Sequence, residues 1–111
     1  MEVDLTTLKC EDLPKGSPAL TPEQVEDLSR QLAADWQSTG DRLSRRLKVA
    51  GYPAAHMLAN AAAFLAEREG HHPDICFGWG WCEVTWWTHT VGGLSMNDFI
   101  CAAKLDALVA G

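Results

Sequence analysis

The sequence predicts an α+β fold in which three helices pack on one face of a four-stranded antiparallel sheet. Residues 53–69 carry apolar side chains at helical spacing. Residues 36–49 and 73–89 each contain two β-prone runs separated by a glycine turn. The predicted order is therefore α-β-β-α-β-β-α, within a single domain covering all 111 residues.

The first 20 residues predict an irregular N-terminal arm. Residues 12–18 form a turn-rich run with two prolines and a glycine, and no periodicity is sustained on either side of it. We expect Leu5 and Leu8 to pack this arm against the rest of the domain.

The first helix begins at a capping box. Thr21 can cap the helix, Pro22 suits the first helical position, and Gln24 is placed to bond back to the cap. The apolar residues that follow at helical spacing are Val25, Leu28 and Leu32. We expect this helix to run to about Ala34.

The first hairpin is predicted over residues 36–49, with its turn at 38–41 and Trp36 at its start. One face of the second strand carries Leu43, Arg45, Leu47 and Val49. The basic residues expected on or near the solvated side are Arg42, Arg46 and Lys48. A cluster of this kind is typical of a solvated face of one element.

The second helix, over residues 53–69, is the clearest element in the chain. Its apolar positions 54, 58, 61, 62, 65 and 66 recur at a spacing of 3.6, and nearly all of its residues are helix formers. Gly70 supplies the stop signal.

The second hairpin, over residues 73–89, turns at Gly78 and Gly80. Since strand residues alternate between faces, Trp81 and Trp87 should share one face and Trp86 should take the other. A last helix follows a cap formed by Ser95 and Asp98, and its expected core residues are Phe99, Ile100, Ala103, Leu105 and Leu108.

The composition excludes several classes of protein. Nine Lys and Arg against 15 Asp and Glu give a net charge of −6, which argues against nucleic acid as the main partner. No apolar stretch is long enough to cross a bilayer, and the N-terminus lacks a basic signal region. Four cysteines without a C-x-x-C pair predict reduced thiols. We therefore expect a soluble cytoplasmic protein that binds neither membrane nor nucleic acid.

Three histidines are candidates for proton transfer. His71 and His72 follow the end of the second helix, and His89 is expected to end the second hairpin. Such segments can meet at one pocket, where imidazoles donate and accept protons near neutral pH. Because neighbouring residues of an extended segment point to opposite sides, we expect only one of the pair to face the same cavity as His89. Alternatively, His71 stabilises the helix end and His72 satisfies backbone groups.

Two carboxylates lie at matching positions. Glu67 is one turn before the helix end and can fix the tautomer of a nearby imidazole, although a solvated surface carboxylate is the simpler interpretation. Asp98 is first of all a helix-capping residue. A metal site can be imagined among the histidines and cysteines of this region, but their spacing matches no zinc pattern, so we predict no metal. Its candidate ligands would be His71, Cys76, Cys82 and His89.

These residues resemble the signature of the pterin-4a-carbinolamine dehydratases. The matching positions are Glu67, His71-His72-Pro73 after three residues, Trp79 after five, His89 after nine and Asp98 after eight. The resemblance extends from Leu8, Lys9 and Cys10 in the arm to the Gly-Gly-Leu-Ser turn at 92–95. It implies a four-stranded antiparallel sheet with three helices, assembled into homodimers or homotetramers.

The resemblance also implies a reaction. Members of this family remove water from a 4a-hydroxytetrahydropterin to give a quinonoid dihydropterin, without metal or cofactor. His71 and His89 would be general acid and base, with His72 holding the substrate, Glu67 supporting them and Trp79 forming an aromatic wall. The implied catalytic residues are His71, His72 and His89, and the implied substrate-binding residues are Glu67, Pro73, Trp79 and Asp98.

Some positions depart from the family pattern. Gly70 stands where Asp or Asn is frequent, Ile75 where many members have an aromatic residue, and residues 77–82 read Phe-Gly-Trp-Gly-Trp-Cys in place of a polar strand. Loss of these polar partners would leave hydrogen-bonding groups of the pterin unpaired, and each unpaired group would weaken binding by about 1–3 kcal/mol.

The glycine- and tryptophan-rich strand resembles a branch of the family that is associated with α-carboxysomes and implicated in RuBisCO assembly. Our first hypothesis is therefore a RuBisCO assembly factor with little or no dehydratase activity, acting on RuBisCO subunits and associated with carboxysomes. Tryptophans on both faces of one strand favour an interaction surface, although burial between subunits explains them equally well. The second hypothesis is an active dehydratase in tetrahydrobiopterin recycling. A transcriptional coactivator, as known in the family, is a third class that nothing beyond the fold favours.

Overall fold

The computed structural model describes residues 3–110 and confirms the predicted α+β fold. The helices are α1 (Pro22–Ser29), α2 (Tyr52–Glu69) and α3 (Met96–Ala110), and the strands are β1 (Gln37–Thr39), β2 (Arg42–Lys48), β3 (Asp74–Gly78) and β4 (Trp81–Trp86). Short 3₁₀ turns cover Leu5–Thr7 and His89–Val91. All strand pairs are antiparallel, in the order β1-β2-β4-β3.

The two faces of the sheet differ in polarity, as the alternation of the strands predicts. Leu43 pairs with Trp86 on the inner face, where both are buried in the core. On the outer face, the guanidinium of Arg46 lies 4.1 Å from the ring centre of Trp81, and that of Arg42 lies 4.3 Å from Trp87. The prediction that Trp86 takes the face opposite to Trp81 and Trp87 is confirmed.

The first helix is shorter than predicted. Its capping box forms as expected between Thr21 and Gln24. It ends at Ser29 instead of about Ala34, because the next amides bond three residues back, as Leu32 does to Ser29. The Ala33 amide then donates to Asp106 of α3 at 2.8 Å, which directs the chain toward β1.

Helix α2 ends at Gly70, which adopts the left-handed conformation with φ +69°. Its buried face is rotated from the predicted one: Ala55 and Ala59 are buried, whereas positions 54, 58 and 61 are only partly covered. Small alanine side chains allow the helix to lie close to the sheet.

The last helix and the arm complete the core. Four of the five predicted core residues of α3 are buried, but Leu108 is 45% exposed because it lies in the last turns of the helix, beyond the sheet. Leu5 of the arm is fully buried and Leu8 is partly buried against the core, as expected. Within residues 3–110, no helix is both long and apolar enough to span a bilayer.

Candidate functional site

The end of α2 and the end of β4 meet at one side of the molecule. The turn at Gly70 directs the chain into β3, and the pairing of Asp74 with Thr85 places the histidine pair beside the segment that leaves β4. A concavity of about 260 Å³ lies between them. Its lining residues are Gly70, His71, His72, Trp87, Thr88, His89 and Thr90.

All three histidines therefore line the same concavity, and the expectation that only one of the pair would do so is wrong. The two adjacent side chains are not equivalent, however. The side chain of His71 is 12% exposed and stacks on Trp86, with ring centres 5.7 Å apart, whereas that of His72 is 65% exposed. His71 thus forms the inner wall and His72 the rim.

His71 is held by a buried carboxylate. Its Nε2 lies 2.6 Å from Oδ1 of Asp98, which is fully buried. The other carboxylate oxygen, Oδ2, accepts from the Thr88 hydroxyl at 2.8 Å and from the Ser95 amide at 2.9 Å. Asp98 therefore caps α3, as predicted, and also bonds an imidazole.

The direction of these hydrogen bonds fixes the tautomer of His71. Thr88 uses its single hydroxyl proton on Asp98, so the Ser95 hydroxyl, 2.6 Å away, must donate to Thr88. Ser95 in turn accepts from the Asn97 amide at 3.2 Å. Each hydrogen bond in this series is donated toward Asp98, which suits an ionised carboxylate that only accepts. In the neutral ring of His71, Nε2 then carries the proton and Nδ1 is the acceptor.

His72 is paired with the second carboxylate. Its Nε2 lies 2.9 Å from Oε1 of Glu67, which is 81% exposed. The sequence left open a hydrogen bond from Glu67 to one imidazole of the pair and favoured a solvated surface carboxylate. In the structure the bond is to His72, and the carboxylate is also solvated. Such a pair orients the imidazole more than it stabilises the fold.

His89 is placed differently from expectation. Strand β4 ends at Trp86, and Thr88 forms an isolated bridge with Gly93, so His89 begins a 3₁₀ turn instead of ending the strand. It is exposed and, like His72, lines the concavity.

Comparisons with known proteins agree with this site. The profile of the family described as Pterin 4 alpha carbinolamine dehydratase matches residues 18–108. A protein of Nitrosomonas europaea named "Putative pterin-4-alpha-carbinolamine dehydratase" is 45% identical over 95% of this chain and 93% of its own length. The chain belongs to the pterin-4a-carbinolamine dehydratase family.

Solved structures extend the comparison. The transcriptional coactivator/pterin dehydratase of Brucella melitensis is 28% identical, with a TM-score of 0.76 over 84% of this chain and 99% of its own. A pterin dehydratase-like protein identified as a RuBisCO assembly factor in the α-carboxysome is also 28% identical, with a TM-score of 0.58 over 69% of this chain and 92% of its own. The match to the assembly factor thus covers less of this chain.

Not every position of the dehydratase signature comes together in this chain. Trp79 lies in the turn between β3 and β4, just beyond Gly78, which is about 13 Å along the strand from Asp74. It is 76% exposed and neighbours Gly51, so it does not line the concavity. Pro73 is half-buried and is also absent from the lining.

Trp87 is a residue of this dehydratase-like site that the sequence did not predict. Trp87 lines the concavity, with its ring under the guanidinium of Arg42. Strand alternation placed it correctly on the outer face, and its position two residues before His89 was the available signal.

The cysteines near the site do not join it. Cys76 is exposed on the outer face of β3, whereas Cys82 is fully buried on the inner face of β4. Burial, with a smaller contribution from Cys76, raises the pKa of the Cys82 thiol. In the part of the chain that the structure describes, no three His, Cys, Asp or Glu side chains are grouped as metal ligands.

Proposed function

We propose that this protein is a 4a-hydroxytetrahydropterin dehydratase. The observation that carries the proposal is the convergence of His71, His72 and His89 on one concavity, with Asp98 and Glu67 each bonded to one of the first two. The named relatives at 38–45% identity over nearly the whole chain support the same reaction class. A site with unpaired or scattered histidines would not support it.

In the proposed reaction, His71 is the general base. Asp98 holds its Nε2–H, which leaves Nδ1 to take the proton from a ring nitrogen of the hydroxypterin. Protonated His89 donates to the 4a-hydroxyl as its C–O bond breaks, so the oxygen leaves as water and the ring becomes the quinonoid dihydropterin. His72, oriented by Glu67, holds the substrate at the rim.

This proposal is tested by following the breakdown of a freshly generated 4a-hydroxytetrahydropterin. The wild-type protein should accelerate it over buffer, and His89→Ala should lower kcat by about 10²–10⁴-fold. His56→Ala is the matched control, because His56 is exposed on α2 and packs on Phe77, outside the concavity. A wild-type rate equal to buffer would rule the activity out.

RuBisCO assembly is the second candidate function. It is supported by the solved assembly factor of the same family and by the outer sheet face, where the half-buried Trp81 and Trp87 lie under Arg46 and Arg42. Tryptophan and arginine are enriched among the residues that dominate binding at interfaces. The partners would be RuBisCO subunits, and the place of action a carboxysome.

Co-expression with RuBisCO separates the two functions. Assembly activity should raise the yield of soluble RuBisCO, and Trp81→Ala should reduce that gain while His89→Ala keeps it. An unchanged yield in the presence of well-folded protein would count against this candidate. Assembly of this chain into a homodimer or homotetramer stays a prediction, which sedimentation equilibrium can check.

A further inference from the structure

Two cysteines far apart in sequence are in contact. Sγ of Cys10, in the arm, lies 3.5 Å from Sγ of Cys101, on α3, across 91 positions of the chain. Cys101 is fully buried, whereas Cys10 is only partly covered. Of the two residues, only Cys10 therefore keeps surface exposed to solvent.

The arm is held in place around Cys10. The amide of Cys10 donates to Oε1 of Glu69 at 3.0 Å, and Oε2 of Glu69 accepts from Lys104 at 2.6 Å. The next residue, Glu11, exchanges two hydrogen bonds with the side chain of Asn97, at 3.0 and 2.7 Å. These contacts to α2 and α3 keep the two sulfurs together without a covalent bond.

We propose that Cys10 and Cys101 form a redox-modification site that a hydroperoxide converts to a reversible disulfide. The Cys10 sulfur attacks one peroxide oxygen, the O–O bond breaks, and the leaving hydroxide takes the Cys10 proton as water. The Cys101 sulfur then attacks the resulting sulfenic sulfur, and the second hydroxide leaves as water with the Cys101 proton. Two thiols are oxidised, one peroxide is reduced and two waters form when hydrogen peroxide is the oxidant.

The geometry makes this pairing selective. Cys76 and Cys82 lie on adjacent strands but on opposite faces of the sheet, so they cannot bond to each other. The hydrogen bond with Cys10, together with burial, raises the pKa of the Cys101 thiol. Because Cys101 is buried and less readily ionised, we expect the partly exposed Cys10 to react with the peroxide first.

The disulfide would link the arm to α3 one turn after Asp98. Because it closes a long loop in the unfolded chain, the oxidised protein should unfold at a higher temperature than the reduced protein. This inference is independent of the proposed function, since neither thiol belongs to the histidine concavity.

The test uses the full chain, reduced and then treated with hydrogen peroxide. Chymotrypsin can cut after Trp86, Trp87 and Phe99, which separates Cys82 from Cys101 for peptide mapping without reductant. We expect a linked peptide containing Cys10 and Cys101, two hydrogens lighter than the separate thiol peptides, in a monomeric chain on a non-reducing gel. Dithiothreitol should restore both thiols and the lower unfolding temperature.

Two variants sharpen the result. Cys10→Ser should lose the linked peptide and the oxidant-dependent rise in unfolding temperature, and Cys76→Ser should keep both. If peroxide oxidises Cys76 while Cys10 and Cys101 stay free, the proposal is wrong. It is equally wrong if the link joins two chains, which would appear as a dimer on the non-reducing gel. The peptide map and the gel of the wild-type chain decide both points even where a variant fails to fold.

Discussion

Asp98 shows how one buried side chain can serve both fold and site. Its carboxylate caps α3 through the Ser95 amide, as the spacing of the two residues predicted. The same carboxylate bonds His71, 27 residues earlier in the chain, which no local pattern indicates. Since Asp98 is fully buried behind His71, we assign it as a positioning residue instead of the substrate-binding residue that the family resemblance implied.

Replacing Asp98 with asparagine should disable the proposed base. The new amide presents two donors where His71, Thr88 and Ser95 all donate, so at least one of them loses its acceptor. We expect kcat to fall by about 10²-fold, with a smaller change in KM. ¹⁵N NMR of the His71 ring should show the altered tautomer, which a purely structural role would not change.

The control for that variant is Asp74→Asn, an exposed carboxylate of β3 outside the concavity. Its kcat and its His71 spectrum should match the wild type. An Asp98→Asn protein with wild-type kcat and an unchanged spectrum would show that the carboxylate does not position His71.

We expect opposite effects from replacing Trp87 and Trp79, the two candidates for the aromatic wall of the proposed pterin site. Trp87 lines the concavity, whereas Trp79 lies at the other end of the hairpin. If one chain forms the site, Trp87→Ala should raise KM by about tenfold, as the loss of a stacked ring predicts, and Trp79→Ala should leave KM unchanged. A raised KM for Trp79→Ala alone would indicate that a second subunit supplies the wall.

At the scale of elements, Glu69 connects α2 with α3 and the N-terminal arm, directly before the turn that leads into the site. Glu69, in the last turn of α2, accepts from Lys104 on α3 and from the Cys10 amide of the arm. Burial raises the pKa of Glu69, but the hydrogen bonds and charge of Lys104 and the Cys10 amide outweigh it, so the pKa lies below its usual 4.5. The next residue, Gly70, leads directly into the histidine pair.

The contacts of Glu69 should make the stability of the protein depend on pH. Because folding lowers the pKa of Glu69, its contribution is present above pH 4.5 and is lost as the pH falls through the folded-state value. Glu69→Gln should therefore lower the free energy of unfolding by about 1–3 kcal/mol at pH 7. The difference from wild type should shrink below pH 4.5.

Urea unfolding at several pH values measures this difference. Glu26→Gln is the control, because Glu26 is an exposed residue of α1 whose ion pair with Arg30 spans 3.7 Å, and it should change stability by less than about 0.5 kcal/mol. A gap between Glu69→Gln and wild type that stays constant from pH 7 to pH 3 would contradict the assigned role of Glu69.

Gly78 leaves space for the ring of Trp81 in the second hairpin. A Cβ on Gly78 would lie 2.7 Å from Nε1 of Trp81, its partner across the strands, so only glycine leaves room for that ring on the outer face. The ring is then free to lie under Arg46. The segment 77–82 thus builds an aromatic and basic outer face while the inner face keeps its apolar core.

At the scale of the whole molecule, the N-terminal arm is part of the folded core. Leu5 is fully buried although it belongs to a segment without helix or strand periodicity. The side chain of Gln31 accepts from the Leu5 amide at 3.2 Å, which ties the arm to the chain after α1. The arm should therefore unfold together with the sheet.

Leu5→Ala tests that cooperativity. Removing a fully buried leucine should lower the free energy of unfolding by about 2–5 kcal/mol, in a single transition seen by both tryptophan fluorescence and circular dichroism. Val3→Ala, at a side chain that is 55% exposed, should cost less than about 0.5 kcal/mol. Equal stability of the two variants would show that the arm is docked only loosely.

The sequence by itself determined the order of elements, the two faces of the sheet and the cap of α3. Each of these depends on residues within a few positions of one another, where periodicity and capping rules apply. The length of α1, the rotation of α2 and the exposure of Leu108 depend on packing against distant elements, so local patterns misplaced them.

Only the tertiary structure decided how the site is built. It brought both His71 and His72 to the concavity that His89 lines, and it placed Asp98 behind His71. It also placed the indole of Trp87, not that of Trp79, at the concavity and set the Cys10 and Cys101 sulfurs 3.5 Å apart. These contacts join residues from separate elements, and the geometry of those at the concavity follows from sheet register and from the turn at Gly70. A one-dimensional pattern can indicate which side chains are suited to the chemistry, but the distances between them arise only when the chain is packed.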